Sequence, residues 1–577
     1  MVTGNLLPRV IPVRVKGLLS RLRFVAYSPY LRWGLLAATL LAYSSRVVFS
    51  DPRLFPASGD QSIDLLDART MLSDPGRTYG WYSPNADAHQ PGPLPYVALN
   101  AIAWPLARLL SVSPYWAATF LTHLLILAAS ITSVLLLRRS YGVGAAWALS
   151  AILVLSLNNV GNLAFPAATL FGPIPVAWLS LTVAAGLASL LRRRDAVSAA
   201  ATILTGGLLA QSHYLAAMFG LIATMYAGWV CRREIISQRP WLALASFALG
   251  WGHLVVRFGT DPSQLLDAMR AGNRNLRMDG RTFGGVTDAL ANNWPFVSRI
   301  FGYESSPVKT VLALGLAAVP LIVLLRLKRF ERLGRPEIVL LVGVSVAAAA
   351  TISRSFEAHH SLWISGVVTV MLAVSIRRPD VGRVAFLISA TIAISVINPD
   401  AKAWGSPSAP LSVGVSERLA STPLRTTVYG LGMGQGSPVY EILYQLVADG
   451  ADICIDTTDI NKFDLSSQGE LLPSFACDGE ALNDRNHLIV VEDPDQSSPM
   501  RLGEYNLVAR VDNRFVLQCE QIGRSALSVE NTACGDQARI SEQSPVALYL
   551  RMNGSGDNSS RILPALSGVL DSIMSTP

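Results

Sequence analysis

The stretch WAATFLTHLLILAASITSVLLLRR, residues 116–139, decides the fold. Residues 116–137 contain no Asp, Glu, Lys or Arg, and as a helix they are long enough to cross a hydrocarbon core of about 30 Å. Arg138 and Arg139 follow directly. Basic residues beside apolar spans remain on the cytoplasmic side of a membrane. The stretch therefore predicts a membrane-spanning helix with a cytoplasmic end.

Apolar segments of this kind recur between residues 33 and 400. The chain has 577 residues, of which 51% are hydrophobic and 15% charged, whereas soluble domains carry about 25% charged residues. The further predicted spans are 33–50, 143–160, 170–191, 196–212, 214–230, 241–257, 307–325, 337–353, 360–376 and 384–398. We therefore expect a polytopic α-helical membrane protein with about eleven spans in total.

The basic residues indicate an orientation. The net charge is +7, but the Lys and Arg residues gather at the ends of apolar segments, which is a membrane-topology signal and not that of a nucleic-acid partner. Residues 1–32 are basic and lack a cleavage site after a short apolar core, which predicts a cytoplasmic N-terminus followed by an uncleaved anchor. The other basic clusters are 138–139, 192–194, 232–233, 326–335 and 377–378.

Residues 93–112 determine whether these clusters all lie on one side. This apolar run is interrupted by Pro95 and Pro105 and carries Arg108. If it crossed the membrane, every later basic cluster would lie on the extracytoplasmic side. We therefore predict a re-entrant or interfacial helix here, in a multi-pass protein of the cytoplasmic membrane whose C-terminus is extracytoplasmic.

Three polar segments then face outward: residues 51–92, 258–306 and 401–577. The last is expected to be a soluble extracytoplasmic α/β domain. Its predicted strands are 426–429, 451–455, 487–492, 506–511 and 515–519, with a helix at 438–448. The glycine-rich turn at 430–434 lacks the Lys-Ser/Thr of a phosphate-binding loop and is interpreted as an ordinary strand–helix turn.

Cysteines support the extracytoplasmic location of this tail. Cys454, Cys477, Cys519 and Cys534 are an even set, which predicts two disulfides. Pairing of neighbours, 454 with 477 and 519 with 534, is one of three connectivities, and all three stay open. Cys231, at a helix end, is expected to be a lone thiol.

The first outward segment opens with three carboxylates. Asp60, Asp64 and Asp67 are spaced i, i+4 and i+7, so a helix places them on one face. Such a face needs a positive partner. A carboxylate near a low-dielectric surface suits a general base. We predict Asp60 as the catalytic residue and Asp64 as substrate-binding; helix capping and a solvated face are the alternative.

Aromatic and polar groups follow in the same segment. Tyr79 and Trp81 suit stacking on a sugar ring, and they equally suit an interfacial aromatic belt. His89 precedes Pro-Gly-Pro, a rigid turn that would aim its side chain. Tyr79, Trp81 and His89 are therefore candidate substrate-binding residues, with a surface turn as the alternative for His89.

Polar residues also interrupt the later spans. Gln211 and His213 lie at the break between two apolar spans, where polar groups are buried against partners or line a cavity. Arg354 stands near the outer end of another span, close to His359 and His360. Side chains of adjacent histidines diverge, so we predict no metal site. Gln211, His213 and Arg354 are candidate substrate-binding residues.

Four arginines are spaced along one helical face in the second outward segment. They are Arg270, Arg274, Arg277 and Arg281. Guanidinium groups match phosphate in bidentate geometry, which predicts a donor-phosphate site. Nearby aspartates offer ordinary ion pairing as the alternative, and binding of lipid headgroups is a further possibility.

The motifs of the first outward segment resemble those of a known family. Gly59-Asp60, Tyr79-Gly80-Trp81 and His89-Gln90-Pro91-Gly92-Pro93 are similar to actinobacterial membrane glycosyltransferases of the GT-C superfamily, whose pattern is close to Gly-Asp, Gly-Trp and His-Pro-Gly-Pro. Gln90 departs from that pattern. The superfamily includes arabinofuranosyltransferases, protein O-mannosyltransferases and the aminoarabinose transferase acting on lipid A. The resemblance covers residues 33–400 in layout and 59–96 in motif.

The resemblance implies transfer of a sugar from a polyprenyl-phosphate donor to a glycan, lipid or protein acceptor of the cell envelope. In it, Asp60 matches the loop-opening aspartate that acts as base or positions the acceptor hydroxyl. No nucleotide is implied. Metal dependence varies across the superfamily, so the resemblance leaves a divalent metal open and no metal is predicted. Two other functions stay open: a membrane transporter or lipid flippase, and a non-catalytic scaffold for envelope assembly.

Overall fold

The structure is a computed structural model. It describes residues 59–73, 77, 79–80, 82–83, 88–89, 91–157, 174–260, 262–263, 335–354, 362–376, 378–396, 426–431, 444, 446–448, 450, 453–455, 486–492, 506–511 and 546–551. The predicted spans 33–50 and 307–325 lie outside these residues, as does almost all of the predicted loop 258–306.

Twelve helices occupy the described part of residues 59–396. They are α1 Gly59–Ser73, α2 Tyr96–Leu110, α3 Pro114–Tyr141, α4 Val143–Leu157, α5 Ile174–Arg192, α6 Ala196–Ser212, α7 Tyr214–Val230, α8 Arg232–Gln238, α9 Pro240–Thr260, α10 Arg335–Arg354, α11 Leu362–Ser375 and α12 Pro379–Val396. A two-stranded hairpin, β1 Tyr82–Ser83 and β2 Ala88–His89, lies between α1 and α2.

Each predicted span that the structure describes is occupied by a helix, which in places ends a few residues before the predicted boundary. Two of these helices, α3 and α9, are long and apolar enough to cross a membrane. Large apolar side chains remain exposed on the outside of the bundle: Trp241 is 78% exposed, Leu249 63% and Val346 61%. Such a surface is stable facing lipid and unfavourable facing water. The chain is a membrane protein with a helical bundle.

Inside the bundle the helices approach closely through small and hydroxylated residues. Gly207 of α6 packs against the backbone of Gly250 in α9, where a Cβ would collide with it. Ser133 of α3 donates to the Thr182 hydroxyl of α5 at 3.2 Å. Small residues and interhelical hydroxyl bonds are the typical means of packing helices in a bilayer.

One end of the bundle collects basic residues, and we call it the basic end. Arg139, near the end of α3, pairs with Asp195 at 3.5 Å. Glu337, at the start of α10, accepts from Arg194 at 3.0 Å and from Tyr226 at 3.2 Å. The ends of α3, α5 and α7 therefore meet the starts of α6 and α10. This alternation of direction is the one that the positive charges predict; the side of the membrane on which the basic end lies stays a prediction.

Helix α2 has both of its ends away from the basic end. Just before α2, the Gly92 N–H donates to the Gln211 carbonyl at 3.3 Å, where α6 terminates. Just after α2, Ser113 is the N-cap of α3. Both places lie at the opposite end of the bundle from Arg139. That residues 93–112 form a re-entrant or interfacial helix stays a prediction.

The tail contributes a five-stranded mixed sheet. Its strands are β3 Thr426–Leu431, β4 Ile453–Ile455, β5 Asn486–Glu492, β6 Asn506–Val511 and β7 Val546–Arg551, in the order β4-β3-β5-β7-β6. Strand β3 is parallel to β4 and β5, whereas β7 is antiparallel to β5 and β6.

Four of the five predicted tail strands have counterparts in this sheet, whereas β7 was not predicted. Tyr444 and residues 446–448 are helical, within the predicted helix 438–448. Strand 515–519 lies outside the described residues, and so do Cys477, Cys519 and Cys534, so both disulfides stay predictions. Cys231 is a buried free thiol, as expected.

Candidate functional site

The acidic helix α1 is buried against α2. Asp64 is 8% exposed, and its Oδ2 accepts a hydrogen bond of 2.5 Å from the Tyr96 hydroxyl at the start of α2. The solvated-face alternative is therefore wrong for Asp64, because a carboxylate on such a face would point to water.

Asp67, one turn further along α1, forms a buried ion pair. Arg77 donates from Nη2 to Oδ2 at 2.7 Å and from Nη1 to Oδ1 at 2.9 Å. Burial raises the pKa of the Asp67 carboxyl, and the hydrogen bonds and charge of Arg77 partly offset that rise. Arg77 is the positive partner that the stacked carboxylates require.

Arg77 also holds the segment that follows it. Its Nε donates to the Tyr79 carbonyl at 3.1 Å and its Nη2 to the Gly80 carbonyl at 2.9 Å. The Tyr79 ring lies 4.5 Å from the guanidinium carbon, in cation–π contact. One buried arginine thus connects α1 to the Tyr79-Gly80 part of the motif.

The hairpin brings the aromatic segment to the histidine motif. Its register pairs Tyr82 with His89 and Ser83 with Ala88. His89 therefore lies on a strand directly beside the end of the Tyr-Gly-Trp-Tyr segment, and not in a free turn.

The Pro-Gly-Pro turn, residues 91–93, is held by Gln211 at the end of α6. The Gln211 side chain is fully buried. Its Oε1 accepts from the Leu94 N–H at 3.4 Å, and its Nε2 donates to the Gly250 carbonyl of α9. Gln211 therefore connects the turn to two helices of the bundle.

Arg257, near the end of α9, contacts the same turn. It is 1% exposed, and its Nη1 donates to the Pro91 carbonyl at 2.8 Å. Burial of an arginine inside a membrane bundle costs free energy, so such residues pair with other groups or with backbone carbonyls and commonly mark functional sites. Arg257 and Gln211 together fix residues 91–94.

His213 forms the joint between α6 and α7. It is 5% exposed, its carbonyl accepts from Ala216 and Ala217 at 3.0 Å, and its ring stacks on Tyr214 at 4.7 Å. The break that the sequence predicts as polar is thus buried, next to Gln211.

The remaining predicted site residues are placed only in part or not at all. Asp60 is the second residue of α1. Arg354 is the last residue of α10, whose start lies at the basic end. Trp81, Arg270, Arg274, Arg277 and Arg281 lie outside the described residues. Within the described part of the chain no three His, Cys, Asp or Glu side chains gather as metal ligands.

Sequence reasoning missed four residues that organise this end of the bundle: Arg77, Tyr96, Arg257 and Tyr444. Arg257 carried a signal, because an ionisable residue at the edge of an apolar span indicates function or a buried partner. Arg77 carried a weaker signal, as one of three arginines in a segment with six aspartates. Tyr444 carried none, since it lies more than 300 residues from its partners.

No family model and no curated protein matches the chain. Among solved structures, it is similar to the crystal structure of ArnT from Cupriavidus metallidurans in the apo state, with a TM-score of 0.40 and 14% identity over 81% of this chain and 94% of that chain. It is also similar to ArnT from the same organism bound to undecaprenyl phosphate, with a TM-score of 0.37 and 14% identity over 79% of this chain and 92% of that chain.

Proposed function

We propose that the chain is a glycosyltransferase that moves a sugar from a polyprenyl-phosphate donor to an extracytoplasmic acceptor of the cell envelope. One observation carries the proposal. The acidic helix is bonded, through buried side chains, to the other motif segments: Asp67 reaches Gly80 through Arg77, and Asp64 binds Tyr96. Motifs separated in sequence thereby form one connected unit at one end of the bundle.

The reaction is a substitution at the anomeric carbon of the donor sugar. The acceptor hydroxyl oxygen forms the new bond to this carbon, the carbon–oxygen bond to phosphate breaks, and polyprenyl phosphate leaves with the electron pair. The hydroxyl proton passes to a carboxylate, which must lie within hydrogen-bond reach.

Asp60 is the carboxylate we assign to this step. Asp67 is committed to Arg77, and Asp64 accepts from Tyr96. Both are buried within the fold. Asp60 precedes them on the same face, at the start of the helix, and matches the loop-opening aspartate of the family that the motifs resemble.

The other residues are assigned according to the same reaction. Arg270, Arg274, Arg277 and Arg281 bind the donor phosphate, whose charge grows as the sugar leaves. The sugar and acceptor sites are lined or supported by the six candidate substrate-binding residues outside the acidic helix: Tyr79, Trp81, His89, Gln211, His213 and Arg354. Of these, Gln211 acts by holding the Pro-Gly-Pro turn. No metal is assigned.

A transfer assay tests the proposal. Purified protein in lipid is incubated with a panel of polyprenyl-phosphate sugars, and glycosylated product is measured with wild type and with Asp60→Asn. We expect the variant to lose about 10²- to 10⁴-fold in rate, as for removal of a general base. Asp380→Asn is the control, because Asp380 is exposed and pairs with Arg383. Undiminished transfer by Asp60→Asn would remove Asp60 from the role of base.

Substrate uptake by the purified protein in sealed vesicles, without any transfer product, would favour a transporter or flippase instead. Absence of both activities, with retained binding of an envelope glycan, would favour a scaffold.

A further inference from the structure

Tyr444 belongs to the tail, yet it is buried against the membrane bundle. It is 1% exposed. Its hydroxyl accepts from the Tyr115 N–H at 2.9 Å and lies 3.0 Å from the Ser113 hydroxyl. Tyr115 is in the first turn of α3, where backbone N–H groups have no partner within the helix. Tyr444 thus acts as a second cap on α3, in addition to Ser113, whose hydroxyl accepts from the same N–H at 3.2 Å.

The ring of Tyr444 contacts Trp104 of α2. The two ring centroids are 6.1 Å apart, with the planes at 63°, an edge-to-face geometry favourable for aromatic pairs. Trp104 is 5% exposed, so Tyr444 helps to cover it and to fix its orientation.

Trp104 in turn contacts the acidic helix at two points. Its Nε1 donates to the Leu65 carbonyl at 2.9 Å, and the Arg69 guanidinium carbon lies 5.0 Å from its ring. Leu65 is five residues after Asp60, about 7.5 Å along a helix axis. Trp104 therefore lies between the tail residue Tyr444 and the helix that bears Asp60.

We propose that Tyr444 is a positioning residue for the acidic helix, so that the tail takes part in the reaction by fixing α1 through Trp104. The inference rests on the proposed function for its effect on transfer, although the coupling itself does not depend on it. The tail is then part of the catalytic unit, whatever else it binds.

Two readouts test this proposal in the full-length protein. The first is backbone amide exchange of residues 59–73, measured by mass spectrometry. Tyr444→Ala removes the ring contact, and Trp104→Phe removes the bond to Leu65. We expect each to accelerate exchange in α1 by about tenfold or more, and the double variant to add little to the larger single effect, since both act on one chain of contacts.

The second readout is transfer. A displaced α1 is expected to lower kcat by about tenfold to a hundredfold, with the donor KM unchanged, because the proposal assigns Tyr444 and Trp104 to the positioning of α1 and not to donor binding. Trp241→Phe is the matched control for Trp104→Phe: Trp241 is exposed on α9. Ser113→Ala is the control for capping, because it leaves the Tyr444–Trp104 contact in place.

Unchanged exchange of α1 in Tyr444→Ala would overturn the proposal. If that variant fails to fold, exchange of α1 in Trp104→Phe tests whether Trp104 holds α1. Exchange of α1 in Tyr444→Leu, which retains an apolar side chain, then tests whether the tail contributes through Tyr444. If wild type transfers no sugar, the proposed function fails while the exchange data still decide the coupling. If transfer occurs and falls without any change in α1 exchange, the coupling fails and the function stands.

Discussion

The side chain of Gln211 lies directly against Gly92. A Cβ placed on Gly92 would lie 2.5 Å from Gln211 Oε1 and 2.7 Å from its Cγ, distances that atoms without a bond do not adopt. The backbone of Gly92 also donates to the Gln211 carbonyl at 3.3 Å. The glycine of the Pro-Gly-Pro turn is therefore needed because α6 terminates against it.

Replacement of Gly92 by alanine tests this relationship. Gln211 is fully buried and bonded to Leu94 and Gly250, so it cannot move aside without breaking those bonds. We expect Gly92→Ala to destabilise the protein by about 1–3 kcal/mol, as overpacking does, and to reduce transfer. Thermal unfolding in detergent measures the first effect.

The matched control is Gly228→Ala, because nothing lies within 4 Å of a Cβ at that position of α7. In a Gln211→Ala background the Gly92→Ala change is expected to cost much less, since the clash is gone. If Gly92→Ala lowers the stability equally in the wild-type and Gln211→Ala backgrounds, the predicted clash between residue 92 and Gln211 is wrong.

Removal of Arg77 provides a second prediction. Arg77→Ala leaves the buried Asp67 carboxylate without its bidentate partner, and breaking a buried pair in this way costs about 3–5 kcal/mol. It also releases the Tyr79 and Gly80 carbonyls. We therefore expect a clear fall in the unfolding temperature together with loss of transfer.

Arg383→Ala is the control for that change, since Arg383 pairs with an Asp380 side chain that is 74% exposed and such pairs contribute at most about 1 kcal/mol. Asp67→Asn should also destabilise the protein, because it leaves the buried Arg77 guanidinium without a counter-charge and replaces one of its two acceptor oxygens by an NH2 donor. If Arg77→Ala lowers the unfolding temperature and transfer no more than Arg383→Ala does, the buried pair is needed for neither stability nor transfer.

The helices of the bundle could be predicted from the sequence because a bilayer imposes length and polarity on each span independently of its neighbours. The predicted spans 196–212 and 214–230 coincide with α6 and α7. The alternation of direction followed from the arginine clusters, and the contact of Arg194 with Glu337 at the basic end agrees with it.

The partners of the site residues could not be predicted, because they depend on how the helices pack. The spacing of the carboxylates shows that α1 needs a cation, but nothing in it selects Arg77 over Arg69. Gln211 is 117 residues from its partner Leu94, and Tyr444 is 329 residues from Tyr115. No local pattern relates residues so far apart.

Arg257 supports a third prediction. Its contact with the Pro91 carbonyl is buried, and a buried carbonyl that loses its donor costs about 1–3 kcal/mol. We expect Arg257→Met to destabilise the turn and to lower transfer at least tenfold, with Arg257→Lys intermediate because it retains a donor but not the planar fork. The exposed Arg239, at the other end of α9, gives the matched control Arg239→Met. Equal activity of the two methionine variants would contradict a role for Arg257 in holding the motif.

The orientation of the bundle gives the last prediction. Arg193 is exposed at the basic end, and Ser111 is exposed where α2 gives way to α3 at the opposite end. If basic residues stay inside, a membrane-impermeant maleimide should label Ser111→Cys in intact cells, whereas Arg193→Cys should be labelled only after permeabilisation. Wild type measures the background from native cysteines, to which the buried Cys231 contributes little.

Labelling of Arg193→Cys from outside would show that the topology is inverted and that Asp60 lies in the cytoplasm, where a polyprenyl-phosphate-dependent transfer to the cell envelope could not take place. The experiment therefore tests the orientation on which the proposed reaction depends without requiring a substrate.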